Sequence, residues 1–206
     1  VICTDKTGTL TENRMRVERM WTPAGTYTVS GRRYAPEGEV YGPDGGDTRL
    51  QRLAQVAAAC NDAVLHPPSD PDGEWTLSGD PTEGALAALA GRLGVDAGEL
   101  DARLPRHGEV AFDASRRRMT TVHKCGDAFW VAVKGAVEAL APLLRDQDAD
   151  LAATAREMPI GSPRRGTAFS PWPSGMPSRF RTGWRISRPG CGWPAWSASP
   201  IRLVPR

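Results

Sequence analysis

A short stretch near the start of the chain has the residue types needed for phosphoryl chemistry. Residues 1–3 are apolar and strand-like, and Asp5, Lys6, Thr7 and Thr9 follow in a polar turn. In open parallel α/β sheets, reactive groups lie at the carboxyl ends of strands. A carboxylate there can attack a phosphoryl group and form an aspartyl phosphate. We therefore predict Asp5 as the nucleophile, with Lys6, the two threonine hydroxyl groups and backbone N–H groups donating to phosphate oxygens.

Residues 5–11 read DKTGTLT, which resembles the signature of the P-type ATPases. The resemblance implies ATP and Mg²⁺ as cofactors, phosphorylation of Asp5, catalytic help from Lys6 and Thr7, and metal ligation by Asp5 and Thr7. The alternative is that Asp5 is only a turn aspartate. A lone Asp-Lys-Thr would favour that alternative, whereas seven matched residues behind a strand favour the phosphorylation site.

A phosphatase of the haloacid-dehalogenase type is a second enzyme class with a similar nucleophile strand. Such phosphatases usually carry a second aspartate two residues after the first, as general acid and base. Thr7 occupies that position here. Without the second carboxylate, nothing nearby would protonate the leaving group or activate water, so the acyl phosphate should persist. Thr7 therefore favours the pump over the phosphatase.

Three later segments resemble the family's nucleotide-binding domain and stand in the family's order: GDPTE at 79–83, FDASRRRM at 112–119 and KGAVE at 134–138. The resemblance implies that Glu83 meets the adenine edge and that Lys134 lies along the nucleotide. Gly135 would let the backbone approach closely. Phe112 can stack on a purine, and Arg117 could reach the phosphates. The alternatives are a helix-capping role for Glu83 and a buried Phe112 followed by a solvated basic turn.

Small departures from the family pattern accompany these segments. Arg117 stands where the family usually has lysine, Ala114 replaces a serine, and Val137 replaces a proline. The chain has no G-x-x-x-x-G-K-[ST] loop. Nucleotide binding is therefore expected in a stacking pocket rather than in a phosphate-cradling loop.

The pattern between these segments predicts the elements that position them. Residues 15–21 alternate as in a strand, 31–40 are turn-rich, and 50–63 have helical spacing with Cys60 in the core. Asp80 or Thr82 can cap a helix, and Ala/Leu-rich residues continue it over 85–93. We predict an α/β fold in two parts. The resemblance implies that residues 1–18 begin a Rossmann-like phosphorylation domain of the haloacid-dehalogenase type, and that 19–158 form an incomplete nucleotide-binding domain, mixed α/β around an antiparallel sheet.

The composition changes abruptly after Met158. The last 48 residues hold eight of the 26 basic residues and no acidic residue, so the first 158 hold 18 basic residues against all 24 acidic ones. The same 48 residues contain nine prolines and four tryptophans, without helical or strand periodicity. We therefore expect 159–206 to be an aberrant tail without regular structure.

A shifted reading frame would explain this tail. Back-translation with G or C in free third positions, read from the third base of each codon, turns 159–170 into ADRLAAARHRVL. The end from Ser187 becomes LPAGLRVAGLVGIADPPRP, and both strings resemble later segments of the family. We hypothesise a frameshift near codons 155–162, which an intact frame on resequencing the DNA would contradict. Such a chain would lack the family's DPPR hinge, its TGDxxND magnesium carboxylates and its membrane helices. We therefore expect negligible ATPase activity from this fragment, and hydroxylamine-labile phosphate after ATP addition would contradict that.

Further expectations concern partners and location. No apolar run approaches the roughly 20 residues that span a bilayer, and there is no signal peptide. The four cysteines are widely spaced, which favours a reduced, cytoplasmic setting without disulfides or a zinc site. The resemblance implies a transported cation, Ca²⁺ or another, and a membrane reached only through helices absent here. An Arg/Trp tail that binds nucleic acid or a membrane surface is the non-enzymatic alternative, but it has no repeat or recognisable motif, so we expect no nucleic-acid partner.

Overall fold

The computed structural model describes residues 15–43, 48–143, 150, 153, 181–187 and 201–205. Asp5, Lys6 and Thr7 lie outside these residues. The predicted phosphorylation site and the Rossmann-like start of the fold therefore stay predictions.

The described chain is built on an antiparallel sheet. Eight strands of the described residues pair in the order β3-β2-β1-β10-β9-β8-β7-β6, and β4 and β5 form a separate hairpin. Every pairing is antiparallel. The predicted mixed α/β fold around an antiparallel sheet is confirmed. The strands are β1 Met15–Thr22, β2 Gly25–Val29, β3 Val40–Tyr41, β4 Val64–His66, β5 Thr76–Ser78, β6 Arg106–Asp113, β7 Arg118–Cys125, β8 Ala128–Ala136, β9 Arg181–Ser187 and β10 Ile201–Pro205.

In the part of the chain that the structure describes, the helices beside the sheet are α1 Thr48–Ala59, α2 Pro81–Arg92, α3 Ala97–Arg103 and α4 Val137–Leu140, which runs into a 3₁₀ turn. Helix α2 begins as the sequence predicts. The Asp80 carboxylate accepts hydrogen bonds from the backbone N–H groups of Thr82 (2.7 Å) and Glu83 (3.3 Å). Pro81 occupies the first turn, where its missing N–H costs no hydrogen bond.

The core lies between helices α1 and α2 and one face of the sheet. The apolar spacing of α1 places its buried residues against α2, and Cys60 is buried among them, as predicted. Alternate residues of β7 point inward, because successive side chains of a strand face opposite sides. The largest fully buried side chains include Met20, Leu53, Val56, Leu86, Leu89 and Met119.

Arg92, in the last turn of α2, fixes the turn-rich loop between β2 and β3. Its guanidinium donates to the carbonyl oxygens of Arg32, Arg33, Ala35 and Glu37 at 2.8–3.3 Å. Burial lowers the pKa of Arg92 from its ordinary value, and the charge of Arg16 lowers it further. Arg92 therefore helps to hold a loop that lacks regular secondary structure, and hydrogen bonds between Ser30 and Glu39 close the ends of the loop.

The expectation of no regular structure in 159–206 differs from what is observed. Strands β9 and β10 lie within this range and connect β8 to β1 in the sheet. Pairing uses backbone N–H and C=O groups, which every non-proline residue carries whatever its side chain. A side-chain pattern alone therefore could not exclude these strands. The proposed boundaries at 18 and 158 stay predictions, although β1 runs across residue 18.

The cysteines also differ in part from expectation. Cys125 is disulfide-bonded, whereas the wide sequence spacing predicts reduced cysteines. Spacing along the chain does not report distance in the fold, and Cys125 ends β7 beside a tight turn. Among the described residues, Cys60 is a free thiol and is buried.

Within the described ranges, no helix is both long and apolar enough to cross a membrane. The same ranges contain no group of three His, Cys, Asp or Glu side chains placed to hold a metal ion.

Candidate functional site

Strand register gathers four of the predicted nucleotide-binding residues at one end of the sheet. Asp113 of β6 pairs with Arg118 of β7, and Arg118 pairs with Gly135 of β8. Phe112, Arg117 and Lys134 are the immediate chain neighbours of these three residues. Because adjacent strands lie about 4.8 Å apart, the backbones of Phe112 and Lys134 are about 10 Å apart across β7.

Lys134 brings the fifth predicted residue into the group. Its ammonium nitrogen forms an ion pair with Glu83 Oε1, from the first turn of α2. The Lys134 side chain is only 9% exposed and that of Glu83 only 14%. The pair joins the helical layer to the sheet, since Lys134 lies opposite the buried Met119 in the register of β7 and β8.

Glu83 is held on two further sides by the segment that follows α1. The Asp62 backbone N–H donates to Glu83 Oε2 at 3.0 Å. The Asn61 side-chain amide donates to the carbonyl oxygens of Glu83 and Ala57, each at 2.9 Å. The carboxyl of Glu83 thus contacts Asp62 and Lys134, while Asp80 caps the helix. The residue whose side chain caps α2 is therefore Asp80 and not Glu83.

Sequence reasoning missed Arg106, which anchors the Asn61–Asp62 segment. Its guanidinium donates to the carbonyl oxygens of Ala59 (3.0 Å) and Asn61 (2.6 Å) and pairs with the carboxylate of Asp62 at 2.6 Å. It also pairs with Glu109 at 2.7 Å. Burial opposes the charge of Arg106, but its hydrogen bonds with the two carboxylates outweigh burial and raise its pKa. No local pattern distinguishes Arg106 from the other arginines, because its partners at the end of α1 lie 44–47 residues earlier in the sequence.

Phe112 and Arg117 lie on the solvent side of the group. Phe112 is 60% exposed, so the alternative of a buried phenylalanine is wrong. The turn that follows is ordered by the Asp113 carboxylate, which accepts from the backbone N–H groups of Ser115 (3.0 Å) and Arg116 (2.8 Å). Arg117 ends this turn with a φ of 51° and is half-buried. An exposed ring therefore stands next to a fixed basic turn.

Close packing around position 135 explains why a glycine stands there. A Cβ atom at this position would lie 2.5 Å from the Arg117 carbonyl oxygen and 2.6 Å from the Arg118 Cβ. The Arg117 carbonyl also accepts a hydrogen bond from the Ala136 N–H at 3.0 Å. The glycine thus permits close approach of the β6–β7 turn to β8.

His123 lies deeper in the same sheet and should make stability depend on pH. Its ring nitrogens lie 2.9 Å from the Leu104 carbonyl oxygen and 2.9 Å from Thr121 Oγ1. Burial lowers the pKa of His123, and the nearby charge of Arg106 contributes in the same direction. The unfolded chain therefore binds a proton more readily than the folded one. The free energy of unfolding should fall as pH drops below about 6.5, by at most about 1.4 kcal/mol per pH unit.

Urea unfolding between pH 7.5 and 5.5 would measure this dependence. His123→Gln should reduce the slope, whereas the matched change at the exposed His66 should leave it in place. Equal slopes for the wild-type chain and the His123 variant would show that another group causes the dependence.

Comparison with known proteins finds sequence similarity to one family of membrane pumps over this region. Residues 49–147 match the family model described as P-type ATPase, cytoplasmic domain N. A probable cation-transporting ATPase F of Mycobacterium bovis is 39% identical over 150 residues, which is 69% of this chain and 16% of that protein. The chain is homologous to the P-type ATPases. Its N-domain match contains all five predicted nucleotide-binding residues, Glu83, Phe112, Arg117, Lys134 and Gly135.

Two further relatives are named as calcium-transporting ATPases. A calcium-transporting ATPase of Bacillus subtilis is 33% identical over 146 residues, covering 68% of this chain and 16% of that protein. A calcium-transporting ATPase type 2C member 1 of Bos taurus is 39% identical over 132 residues, covering 61% and 13%. The matched region thus spans about a sixth or less of the length of these relatives.

Proposed function

We propose that the chain is part of an ATP-driven, cation-transporting P-type ATPase, and that its N domain holds the nucleotide for transfer to Asp5. The observation that carries the proposal is the gathering of Phe112, Arg117, Lys134 and Gly135 by strand register, with Glu83 joined to them through Lys134. The homology to cation-transporting ATPases supports the reaction class.

The residues present fit an adenine nucleotide. The exposed Phe112 ring offers a face on which a purine can stack. Lys134 has three N–H donors, so its contact with Glu83 leaves capacity for a second acceptor. Each Glu83 oxygen has two lone pairs and can accept a further hydrogen bond, as the adenine 6-amino group would require. Arg117 would contact the phosphates, and Gly135 would keep the backbone close to the nucleotide.

Transfer itself is proposed at Asp5, outside the described residues. ATP supplies the phosphoryl group: an oxygen of the Asp5 carboxylate would bond to the γ-phosphorus as the bond from that phosphorus to the bridging oxygen breaks and ADP leaves, while Lys6 and Thr7 hold the phosphate oxygens. Asp5 and Thr7 would also hold Mg²⁺, which neutralises charge on these oxygens. With threonine at position 7, the aspartyl phosphate would persist long enough to serve as a conformational state of a pump. In the whole protein this region would lie on the cytoplasmic side of a membrane. The names of two relatives favour Ca²⁺ as the transported cation.

Phe112→Ala tests the proposed nucleotide site. Loss of a stacked base costs about 1–3 kcal/mol, so ATP affinity should fall roughly 5- to 150-fold in a calorimetric titration of the full chain. Phe129→Ala is the matched control, because Phe129 is also exposed (46%) but is the second residue of β8, at the opposite end of that strand from Lys134 and beside His107. Equal ATP affinity in the two variants would show that the assigned site is wrong.

A further inference from the structure

We infer that Arg106 is the positioning residue that sets the purine selectivity of the proposed nucleotide site, through the Asn61–Asp62 segment and Glu83. The inference rests on the proposed function, in which Glu83 meets the adenine edge. Arg106 itself does not contact Glu83, so its effect must pass through the segment between them.

The first step is the fixing of the helix end. Arg106 donates to the carbonyl oxygens of Ala59 and Asn61, which belong to the last turn of α1 and the residues after it. Carbonyl groups at a helix C-terminus have no partner within the helix, and a cation there both satisfies them and complements the helix dipole. The contact with the Asp62 carboxylate at 2.6 Å adds a third anchor on the same segment.

The second step passes from this segment to Glu83. The Asn61 amide donates to the Glu83 carbonyl oxygen, which fixes the backbone at the start of α2. The Asp62 N–H donates to Glu83 Oε2, which fixes the rotation of the carboxyl group. With Lys134 on Oε1, both carboxyl oxygens have a defined partner and direction. Glu83 is therefore held as an acceptor in one orientation.

The third step is chemical. A fixed carboxylate accepts a hydrogen bond from an amino group but repels a carbonyl oxygen at the same place. ATP carries a 6-amino group on its base, whereas ITP carries an oxygen there. A carboxylate held in one orientation discriminates between them, whereas one free to rotate toward Lys134 alone would discriminate less. Arg106 thus controls selectivity without touching the nucleotide.

The test compares ATP and ITP affinity by calorimetry in the full chain and its variants. We expect the wild-type chain to prefer ATP by at least about tenfold, as for a hydrogen bond to a charged group. Arg106→Gln should reduce the preference for ATP over ITP to less than about twofold. Glu83→Gln should do the same, because an amide can offer either an oxygen or an NH₂ group. Arg103→Gln is the control, since Arg103 is exposed on α3 and loses the same charge.

The double variant separates positioning from general damage. If Arg106 acts through Glu83, the double variant should bind ATP as tightly as Glu83→Gln alone. A merely structural role would lower ATP and ITP affinity equally and keep their ratio, which would overturn the inference. If Arg106→Gln melts below the assay temperature, Arg106→Lys replaces it; lysine keeps the charge but cannot span three acceptors, so the ATP/ITP ratio should still fall.

The two proposals fail in different ways. A wild-type chain that binds neither nucleotide would overturn the proposed function together with this inference. A wild-type chain that binds both equally would overturn the adenine contact of Glu83 and this inference, but not nucleotide binding itself. A wild-type preference that Glu83→Gln removes and Arg106→Gln retains would overturn the role of Arg106 alone.

Discussion

Lys134→Met is expected to lower the free energy of unfolding by about 3–5 kcal/mol, because it leaves the Glu83 carboxylate buried without its counter-charge. Removing one partner of a buried ion pair costs far more than the net stabilisation that the intact pair provides. Urea unfolding followed by far-UV circular dichroism would measure the loss, with an unchanged m-value as evidence that the unfolding reaction is the same.

The chain supplies a matched control for this substitution. Lys124 is exposed on β7, the neighbouring strand, so Lys124→Met should change stability by no more than about 0.5 kcal/mol. Adding Glu83→Gln to Lys134→Met should recover part of the loss, because the remaining group is then neutral. Equal destabilisation by the two lysine variants would mean that the Lys134–Glu83 pair is not a buried pair in solution.

Gly135→Ala is expected to destabilise the fold by about 1–3 kcal/mol or more, since the added methyl group would meet backbone and Cβ atoms of Arg117 and Arg118. These atoms cannot rotate away as the end of a flexible side chain can. Any loss of ATP affinity in this variant should therefore accompany a lower unfolding midpoint.

Gly108→Ala provides the comparison for Gly135→Ala. Gly108 lies on β6 in the same sheet, and a Cβ there would meet nothing within 4 Å. This variant should be neutral or stabilised by up to about 1 kcal/mol, because alanine restricts the unfolded chain. Thermal unfolding of both variants would distinguish the two sites, and a stable Gly135→Ala chain would contradict the close approach of the turn to β8.

Local pattern predicted much of the fold. The cap at Asp80, the spacing of α1 and the strand character of β1 all depend on residues close together in sequence. The antiparallel mixed α/β class followed from the family resemblance, because local pattern does not give the direction in which strands pair. The strands β9 and β10 were missed because they are short segments of a stretch rich in arginine and proline, where the alternation of Thr182, Trp184 and Ile186 in β9 is easily overlooked.

The sequence predicted which residues form the candidate site but not which of them contact one another. The residues were selected by resemblance, yet the pairing of Glu83 with Lys134 joins positions 51 apart. Arg106 reaches the end of α1 across 45–47 residues. Such contacts depend on how helices dock on the sheet, and periodicity carries no information about docking. The sequence likewise could not decide whether the Phe112 side chain is exposed or buried, because aromatic residues occur both in cores and in binding sites.

The pairing of β1 with β10 has a mechanical consequence. Met15 and Pro205 are partners in the register, so the two strands run side by side at one place on the body. Segments that continue beyond these partners in a longer chain would meet the body at a single point. A body joined through one two-stranded ribbon can turn and twist about it while its distance from the attachment stays fixed. The body could then change its orientation but not its distance from the attachment, and the stiffness of the two hydrogen-bonded strands would limit how far it turns.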